Sequence, residues 1–433
     1  MVDKNLFLYD LAVVAIFKDE ARYLKEWLDY HLLAGVEHFY LYNNDSSDDF
    51  RKVLAPYVEE NLVTLIDLPG RVMQMPAYND ALEKFRFECR YLAFIDLDEF
   101  IFPKSNRSIT EVVDEILSAD PNAAGLSIHW QLFGSNGQKK ADYSRGVLER
   151  FVTRAEKDFS NEVKTLVENG GKRYGINFSV SNGFIKSVTN PRCVKSVFNH
   201  FANYFDGHYT VDETGMQLKP TLAVYPIHAE KIVVNHYVIK SREEYNRKLM
   251  RERVDDGSKW PADFFDGYDH NEVFDDGILK YRAARAKNFS FESDEQRINR
   301  VVDSLVQTLT KNFSAESLEG ELETFLTCRA VAEKFQIKIG EYSAEEFALA
   351  WIYRTLANVN PITYAEVQMF LKALPEILAR PFPICKEIKR LTPENILPRL
   401  CESLKKGNGL KADDDWYVRF NWLYVQKLLR LIK

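Results

Sequence analysis

The sequence predicts an α/β fold built on an open, mostly parallel sheet and followed by a helical region. Three observations support it: strand-like and helix-like segments alternate in the amino-terminal part, their connections are short, and helical patterns dominate towards the carboxyl end. Such alternation favours parallel pairing, because each helix returns the chain to the same edge of the sheet. We expect a boundary near residue 290, and therefore two domains, residues 1–290 and 291–433.

Four strands separated by three helices are predicted in the amino-terminal part. The first strand is LAVVAIF, residues 11–17, a continuous apolar run typical of a strand covered on both faces. The helix after it has apolar residues at helical spacing and reaches Gly35, a residue type that commonly ends helices. The next elements are the strand HFYLYNN, the helix FRKVLAPYVEE, the strand VTLIDLP, the helix PAYNDALEKFRFECR and the fourth strand YLAFIDLDEFIFP.

Composition and charge make several classes of protein improbable. A net charge of -7 and a pI near 5.8 argue against nucleic acid as a partner. The five cysteines are odd in number and lack CxxC spacing, which indicates free thiols in a reducing compartment rather than disulfides or a zinc site. The apolar run near the amino end is too short to span a bilayer. We therefore expect a cytoplasmic protein, either soluble or peripheral on the inner face of the plasma membrane.

An acidic cluster, Asp96, Asp98 and Glu99, interrupts the apolar fourth strand. In a continuous strand Asp96 and Asp98 would point to the same side, because side-chain direction alternates. Two neighbouring carboxylates repel unless a cation lies between them. Mg²⁺ and Mn²⁺ suit such a place, since they take one or two carboxylates together with substrate phosphates. The pattern indicates a site for Mn²⁺ or Mg²⁺, and the alternative is a strand that ends in a solvated acidic turn.

A second polar loop, which begins with Asn44 and Asp45, follows the second strand. Loops at the carboxyl ends of parallel strands are where α/β sheets bind ligands. Short polar side chains there can form turns with their own backbone, or they can accept hydrogen bonds from a base or a ribose. A nucleotide at one strand end and a metal-bound diphosphate at another is the arrangement of a nucleotide-sugar site.

Four blocks of the sequence, taken in order, resemble glycosyltransferases of the GT-A fold, and most closely those of families 2 and 92. The blocks are VVAIFKDEARYLKEWLDYHLLAGVEHFYLYNNDSSDD, YNDALEKFRFECRYLAFIDLDEFIFP, HWQLFGSNG and NHYVIKSREEYNRK. The similarity extends over about residues 10–285 and implies a GT-A catalytic domain followed by a helical carboxyl-terminal domain. It also implies metal-dependent, inverting transfer of a sugar from a nucleotide sugar, expected to be UDP-linked. The expected acceptor is a glycan or glycolipid, such as a bacterial-type surface polysaccharide or lipopolysaccharide.

The resemblance assigns roles to particular residues. It implies that Asp96, Asp98 and His236 bind the metal, with His200 as the second choice of histidine. Trp130 and Phe133 are expected to stack on the acceptor sugar, although core packing is the alternative for such aromatic residues. The residues expected to bind the donor are Lys18, Glu20, Asn44, Asp45, Asn79, Asp96 and Lys240.

An inverting mechanism needs a carboxylate that takes the proton of the acceptor hydroxyl. Asp212 is the preferred candidate and Glu230 the next, with Glu213 and Asp142 also considered. The ED pair usual in family 2 is not evident in this sequence, so the identity of the base stays open.

The same sequence also bears on two alternative functions and on the contacts of the carboxyl-terminal region. A nucleotidyltransferase would need a basic, glycine-rich loop after the first strand, where this chain has FKDEARY. A non-catalytic glycan-binding or scaffold protein could keep the same fold. The carboxyl-terminal segment has aromatic and apolar residues at four-residue spacing among basic ones, which fits either an interfacial helix on anionic lipid or the last core helix of a domain. The helical domain is also a candidate for homodimer formation.

Overall fold

The computed structural model describes residues 2–169, 172–250, 253, 257, 263–287, 289–290, 292–310, 327–328, 330–331, 338–339 and 342–343. The chain forms two compact units. One extends from Tyr9 to Phe291, and the other combines Met1–Leu8 with the chain from Glu292 onwards. The candidate site lies entirely within the first unit.

The described strands are β1 Tyr9–Phe17, β2 His38–Asn43, β3 Val63–Asp67, β4 Cys89–Phe94, β5 Glu99–Pro103, β6 Ala123–Leu132, β7 Thr153–Arg154, β8 Ser160–Asn169, β9 Lys172–Ser181, β10 Ile185–Thr189, β11 Val194–Val197, β12 Ala202–Tyr204, β13 Tyr209–Val211, β14 Gln217–Leu218, β15 Ile232–His236, β16 Val273–Phe274, β17 Lys338–Ile339 and β18 Tyr342–Ser343. The described α-helices are α1 Ala21–Leu33, α2 Phe50–Glu59, α3 Gln74–Phe85, α4 Ile109–Leu117, α5 Val147–Arg150, α6 Arg242–Lys248, α7 Phe264–Tyr268, α8 Gly277–Ala286 and α9 Asp294–Thr310.

A mixed, mainly parallel sheet forms the centre of the first unit, in the order β14-β13-β6-β10-β4-β1-β2-β3. The pairs β1–β2, β1–β4, β2–β3 and β6–β13 are parallel, whereas β10 runs antiparallel to both β4 and β6. β15 pairs in parallel with β6 and antiparallel with β5. This confirms the predicted α/β class and places the carboxyl ends of β1, β2 and β4 along one edge, where the predicted site residues begin.

The apolar run of β1 explains its position in the centre of the sheet. Its side chains are nearly all buried, as expected for a strand with helices on both faces. Leu11, Val13, Ala15 and Phe17 belong to the same core cluster as the apolar side chains of α1 and α4. α3 also packs against β1. The core therefore fixes the end of β1, from which the loop Lys18–Glu20 enters the site.

The predicted fourth strand is in fact two strands. β4 ends at Phe94, and the chain turns before β5 begins at Glu99. Glu99 N donates to Asp96 O (3.1 Å) and Tyr237 N donates to Asp98 O (2.8 Å), and these bonds hold the turn. The expectation that Asp96 and Asp98 belong to one continuous strand, with both side chains on the same side, was therefore wrong. The break transfers the chain from β4, which pairs with β1, to β5, which pairs with β15.

In the second unit, α9 packs against the amino-terminal segment. Arg300 donates to the carbonyl of Phe7 (3.0 Å) and pairs with Glu292 (3.0 Å), while Ser304 Oγ donates to Asp3 Oδ2 (3.1 Å). Most of the predicted helical domain and the amphipathic carboxyl-terminal segment lie outside the described residues. Within the described parts of the chain, no helix combines the length and apolar character that a membrane span needs.

Candidate active site

A cleft of about 190 Å³ opens at the carboxyl ends of the central strands. Residues from the loop after β1, the turn after β4, and strands β6, β10 and β15 line it, together with α6. Its lining includes the polar side chains Lys18, Glu20, Gln74, Asp96, Asp98, Lys186, Asn199, His200, His236, Lys248 and Arg253. The topology therefore brings together residues that are more than two hundred positions apart in the sequence, such as Lys18 and Arg253.

Asp98 lies between a lysine and a histidine. Its Oδ2 accepts a hydrogen bond from Lys248 Nζ (2.8 Å), and its Oδ1 lies 3.5 Å from His236 Nε2. Burial opposes ionisation of Asp98, but Lys248 and His236 outweigh it and hold the pKa of this carboxyl well below its ordinary value. Asp98 is therefore an anion at neutral pH. The neighbouring ring of His236 is neutral, because burial lowers the pKa of this histidine.

Asp96 has a different set of partners. Its Oδ1 accepts from Gln74 Nε2 (2.8 Å) and Tyr78 OH (3.2 Å), and its Oδ2 accepts from Lys186 Nζ (2.8 Å). The side chain of Lys186 is only 2% exposed. Burial lowers the pKa of Lys186, but the carboxylates of Asp96 and Glu99 raise it by more, so the pKa lies above its ordinary value. Lys186 is therefore a permanent cation at the cleft. Both oxygens of Asp96 thus already have donors.

Glu99 lies behind these residues, fully buried. Its Oε2 accepts from Asp96 N (2.9 Å) and lies 3.4 Å from Lys186 Nζ. Burial raises the pKa of this carboxyl to about 8, although Lys186 opposes the shift. Glu99 therefore helps to fix the turn that carries Asp96, and it does not reach the cleft lining.

Asp98 and His236 suit one divalent cation between them. Their facing atoms, 3.5 Å apart, are close enough to bind the same ion, and a neutral imidazole is the form that ligates metals. Across the described residues no group of three or more His, Cys, Asp or Glu side chains is arranged for a metal. Mg²⁺ commonly accepts such a small protein contribution, because water and substrate phosphates complete its shell. Beside Asp96, the ammonium group of Lys186 occupies the position that a cation would take.

The loops after β1 and β2 are joined to each other. Asp19 N donates to Ser46 Oγ (3.0 Å), and Asp19 Oδ1 accepts from Ser47 N (2.6 Å). Asp19 and Asp45 both have positive φ, 54° and 55°, a backbone strain that often occurs at functional sites. Among the residues predicted to bind the donor, Lys18 and Glu20 line the cleft.

Asn44 and Asp45 hold the next loop. Asn44 Nδ2 donates to the carbonyls of Leu68 and Gly70 (both 2.9 Å), and Asp45 Oδ2 accepts from Gly70 N (3.0 Å). These contacts give both side chains a structural role in joining the ends of β2 and β3. Neither belongs to the described lining of the cleft.

Asn79 and Lys240 have clear structural contacts outside the described lining. Asn79 bridges α3 and β11, donating to Val197 O and accepting from Val197 N (both 2.9 Å). Lys240 is buried, has a φ of 55°, and places Nζ 4.6 Å from the centre of the Tyr23 ring. Burial lowers its pKa, whereas the negative charge of Asp98 opposes this shift.

The two predicted acceptor-binding aromatic residues are in different places. Trp130 lines the cleft, with its ring 4.3 Å from that of His236 and 5.1 Å from that of His200. Phe133 is 1% exposed and packs on Tyr237 at 4.6 Å, inside the core. The structure thus brings Trp130 to His236 and His200 in the cleft and gives Phe133 the alternative role, core packing.

The predicted catalytic carboxylates do not belong to the cleft lining that the structure describes. Asp212 is fully buried and accepts hydrogen bonds from Thr214, Met216 and His228. Glu230 is exposed at its side chain and pairs with Lys157 (2.6 Å). Each of the two is therefore engaged in contacts that stabilise a turn or the surface.

A family model for glycosyltransferase family 92 matches residues 13–264, which is more than half of the chain. The chain belongs to glycosyltransferase family 92. The matched residues include every residue of the cleft lining that is named above.

Similar proteins include family 92 members of Ricinus communis, 26% identical over 132 residues, and Oryza sativa subsp. japonica, 27% identical over 147 residues. These alignments cover 30% and 34% of this chain, and 24% and 25% of the relatives, so the chain spans about a quarter of their length. The galactan beta-1,4-galactosyltransferase GALS2 of Arabidopsis thaliana is 30% identical over 100 residues, which are 21% of this chain and 19% of that protein.

Among solved structures, S. aureus TarS residues 1–349 is similar, both alone and in complex with UDP. Each structure shows 11% identity and covers 98% of this chain and 92% of its own, with TM-scores of 0.28 and 0.30.

Sequence reasoning about this family 92 member missed Lys186, Gln74 and Tyr78, which hold Asp96. A signal for Lys186 was present, because a lysine stands among apolar residues in the strand FIKSV. A charged residue inside such a strand usually requires a buried partner of opposite charge. Gln74 and Tyr78 lie one turn apart on α3, yet their sequence positions do not reveal which carboxylate they contact.

Proposed function

We propose that the chain is a metal-dependent glycosyltransferase that transfers a sugar from a UDP-sugar to a glycan or glycolipid acceptor. Its membership of family 92 supports the reaction class, and the adjacent Asp98 and His236 support the metal dependence. The observation that carries the proposal is this pair of side chains, which suits a divalent ion, in a cleft whose lining also includes three lysines and an arginine.

The charges of the cleft suit a diphosphate leaving group. Lys18, Lys186, Lys248 and Arg253 all belong to its lining. Asp98 and His236 would hold Mn²⁺ or Mg²⁺, which acts as a Lewis acid towards phosphate oxygens. Lys248 reaches the same carboxylate (2.8 Å) and adds a second positive charge next to the ion. Together these groups would stabilise the negative charge that develops on the departing nucleotide.

The sugar would occupy the part of the cleft beside Trp130. Its indole and the rings of His200 and His236 form one aromatic wall, and such faces stack on sugar rings and exclude water. Inversion and the choice of base stay predictions from the family resemblance. Because GALS2 is named a galactosyltransferase acting on galactan, UDP-galactose is the first donor to test.

Calorimetry with UDP tests the proposal. Wild-type protein should bind UDP at least tenfold more tightly in the presence of Mn²⁺ than in EDTA, and Asp98→Ala should remove this difference. Asp206→Ala, an exposed aspartate outside the cleft lining, is the matched control and should behave as wild type. Equal UDP affinity with and without the metal in wild type would refute the metal site. A non-catalytic glycan-binding protein would bind no UDP under either condition.

A further inference from the structure

A second cleft, of about 570 Å³, lies on the outer side of α1. α1 contributes one wall, the segment from Tyr143 to Arg150 the opposite one, and Arg282 of α8 closes one end. Its volume is within the range of about 300–1,000 Å³ typical of ligand pockets, and it exceeds that of the cleft at Asp98. Nothing in the proposed reaction so far uses it.

Tyr143 is the central feature of this second cleft. Its side chain is 42% exposed, although large aromatic side chains are usually buried. The guanidinium groups of Arg22, Arg247 and Arg150 lie 4.6, 5.5 and 5.8 Å from its ring centre. These cation–π contacts hold the ring in place, and a fixed, exposed aromatic ring is a platform on which a sugar can stack.

Polar and charged groups make up most of the remaining lining. Arg282 of the lining pairs with Glu149 of the lining (2.8 Å), and Arg145 of the lining pairs with Asp142 next to it (3.3 Å), so groups of both signs are present at the cleft. Such paired groups offer donors and acceptors side by side, as the vicinal hydroxyls of a sugar require. A lipid chain would need an apolar lining, and a nucleotide would need unpaired cations for its phosphates.

The two clefts share their walls. Glu20, at the start of α1, lines the first cleft, and the residues that follow on the same helix line the second. α6 contributes Lys248 to the first cleft, and its Glu244 pairs with Arg150 of the second (2.8 Å). Tyr23, which lines the second cleft, donates to Glu244 (3.0 Å). The two clefts therefore adjoin the same helices, α1 and α6, and side chains in direct contact connect their linings.

We propose that the second cleft is a binding subsite for the acceptor, which holds sugar units remote from the hydroxyl that reacts. The ligand class is an oligosaccharide of three or more units, stacked on Tyr143 and hydrogen-bonded by the charged rim. This inference rests on the proposed function, because it assumes that the acceptor is a glycan.

A glycan array tests the inference with a defined probe set, consisting of neutral and uronate-containing oligosaccharides of one to eight units. Wild-type protein should bind members of three or more units, and Tyr143→Ala should weaken this binding about tenfold. Arg22→Ala, which removes one of the contacts that hold the ring, should weaken it less. Phe274→Ala is the matched control, since Phe274 is an exposed aromatic side chain (68%) outside both linings.

Asp98→Ala separates this subsite from the donor site, because it should retain glycan binding while it loses metal-dependent UDP binding. Unchanged binding in Tyr143→Ala, a similar loss in Phe274→Ala, or no glycan binding by wild type would overturn the inference. Failure of the proposed function gives a different result, namely wild-type protein that binds no UDP in calorimetry.

Discussion

The buried ion pair between Arg150 and Glu244 provides the sharpest test of the structure. The two side chains are 1% and 2% exposed and meet through two hydrogen bonds of 2.8 Å. Burial of Glu244 raises its pKa, but hydrogen bonds from Arg150 and Ser241 outweigh this and lower it to about 2. Arg150→Met keeps most of the side-chain volume and removes the charge. The variant should be strongly destabilised, because Glu244 then remains in the core as an unpaired anion.

The expected loss of unfolding free energy in Arg150→Met follows from two costs, that of an unpaired Glu244 carboxylate and that of protonating it. Removing one partner of a buried pair typically costs about 3–5 kcal/mol. The variant can avoid leaving an unpaired anion in the core if Glu244 becomes protonated. Because the pKa of a glutamate in the unfolded chain is about 4.3, this protonation costs about 3.7 kcal/mol at pH 7. The donors Tyr23 and Ser241 still support the carboxylate, so we expect about 3 kcal/mol at pH 7.

The pH dependence has a definite sign. Because the folded-state pKa of Glu244 is depressed, its stabilisation is present above the unfolded pKa and is lost as the pH falls towards 2. In Arg150→Met the cost of protonation falls by about 1.4 kcal/mol per pH unit, to about 1 kcal/mol at pH 5. The difference in unfolding free energy between wild type and variant should therefore narrow from pH 7 to pH 5.

Urea denaturation followed by tryptophan fluorescence at both pH values measures this difference. Adding Glu244→Gln to Arg150→Met should recover much of the stability, because a neutral amide needs no cation. Lys84→Met, which breaks an exposed pair with Asp80, is the control and should cost less than about 1 kcal/mol. A loss below about 1 kcal/mol for Arg150→Met at pH 7, or a loss independent of pH, would refute the reasoning.

Three further predictions concern the predicted site residues. Asp96→Ala should retain Mn²⁺-dependent UDP binding in calorimetry, unlike Asp98→Ala. The same variant should lose about 3 kcal/mol of unfolding free energy in urea denaturation, because Lys186 loses its partner at 2.8 Å. Asp212→Asn should lose about 1–3 kcal/mol at pH 7 and leave UDP affinity unchanged. Burial raises the pKa of Asp212 but hydrogen bonds lower it overall, so this loss should begin to shrink as the pH falls below about 4, and a loss that stays constant there would contradict the prediction. Asn79→Ala should lower the melting temperature, because the N–H and C=O groups of Val197 lose their partner, and it should leave UDP affinity unchanged. Weaker UDP binding at an unchanged melting temperature would instead support a donor-binding role for Asn79.

The order of strands and helices in the first part of the chain was predictable because local patterns determine it. The run at β1 is apolar on both faces, and the amphipathic pattern of α1 matches its buried residues Leu24, Trp27 and Leu28. The break between β4 and β5 was not predictable in this way. Residues 91–103 are β-prone throughout, and what divides them is pairing with β1 on one side and with β15, more than a hundred residues later, on the other. Such a long-range choice leaves no local signal.

The candidate site was predictable for residues that follow strands and unpredictable for those that approach from elsewhere. Asp98 lies in the turn between β4 and β5, His236 ends β15, and the structure brings them to 3.5 Å. Asn44 and Asp45 also follow a strand, but their side chains turn towards the loop after β3. A position at a strand end therefore predicts proximity to the site, whereas the direction of the side chain depends on which backbone groups remain to be satisfied.

The turn between β4 and β5 explains why two aspartates of one short motif have different partners. In a continuous strand both would face the same side and share one cation. Because the chain turns between them, Asp96 faces α3 and β10, where Lys186 is built into the sheet, and Asp98 faces β15 and α6. Lys186 belongs to strand β10 and its side chain is 2% exposed, whereas Lys248 belongs to the short helix α6 and its side chain is 12% exposed. We therefore propose that a divalent ion would bind at Asp98 rather than at Asp96, so that one aspartate supports the turn and the other is available for the donor.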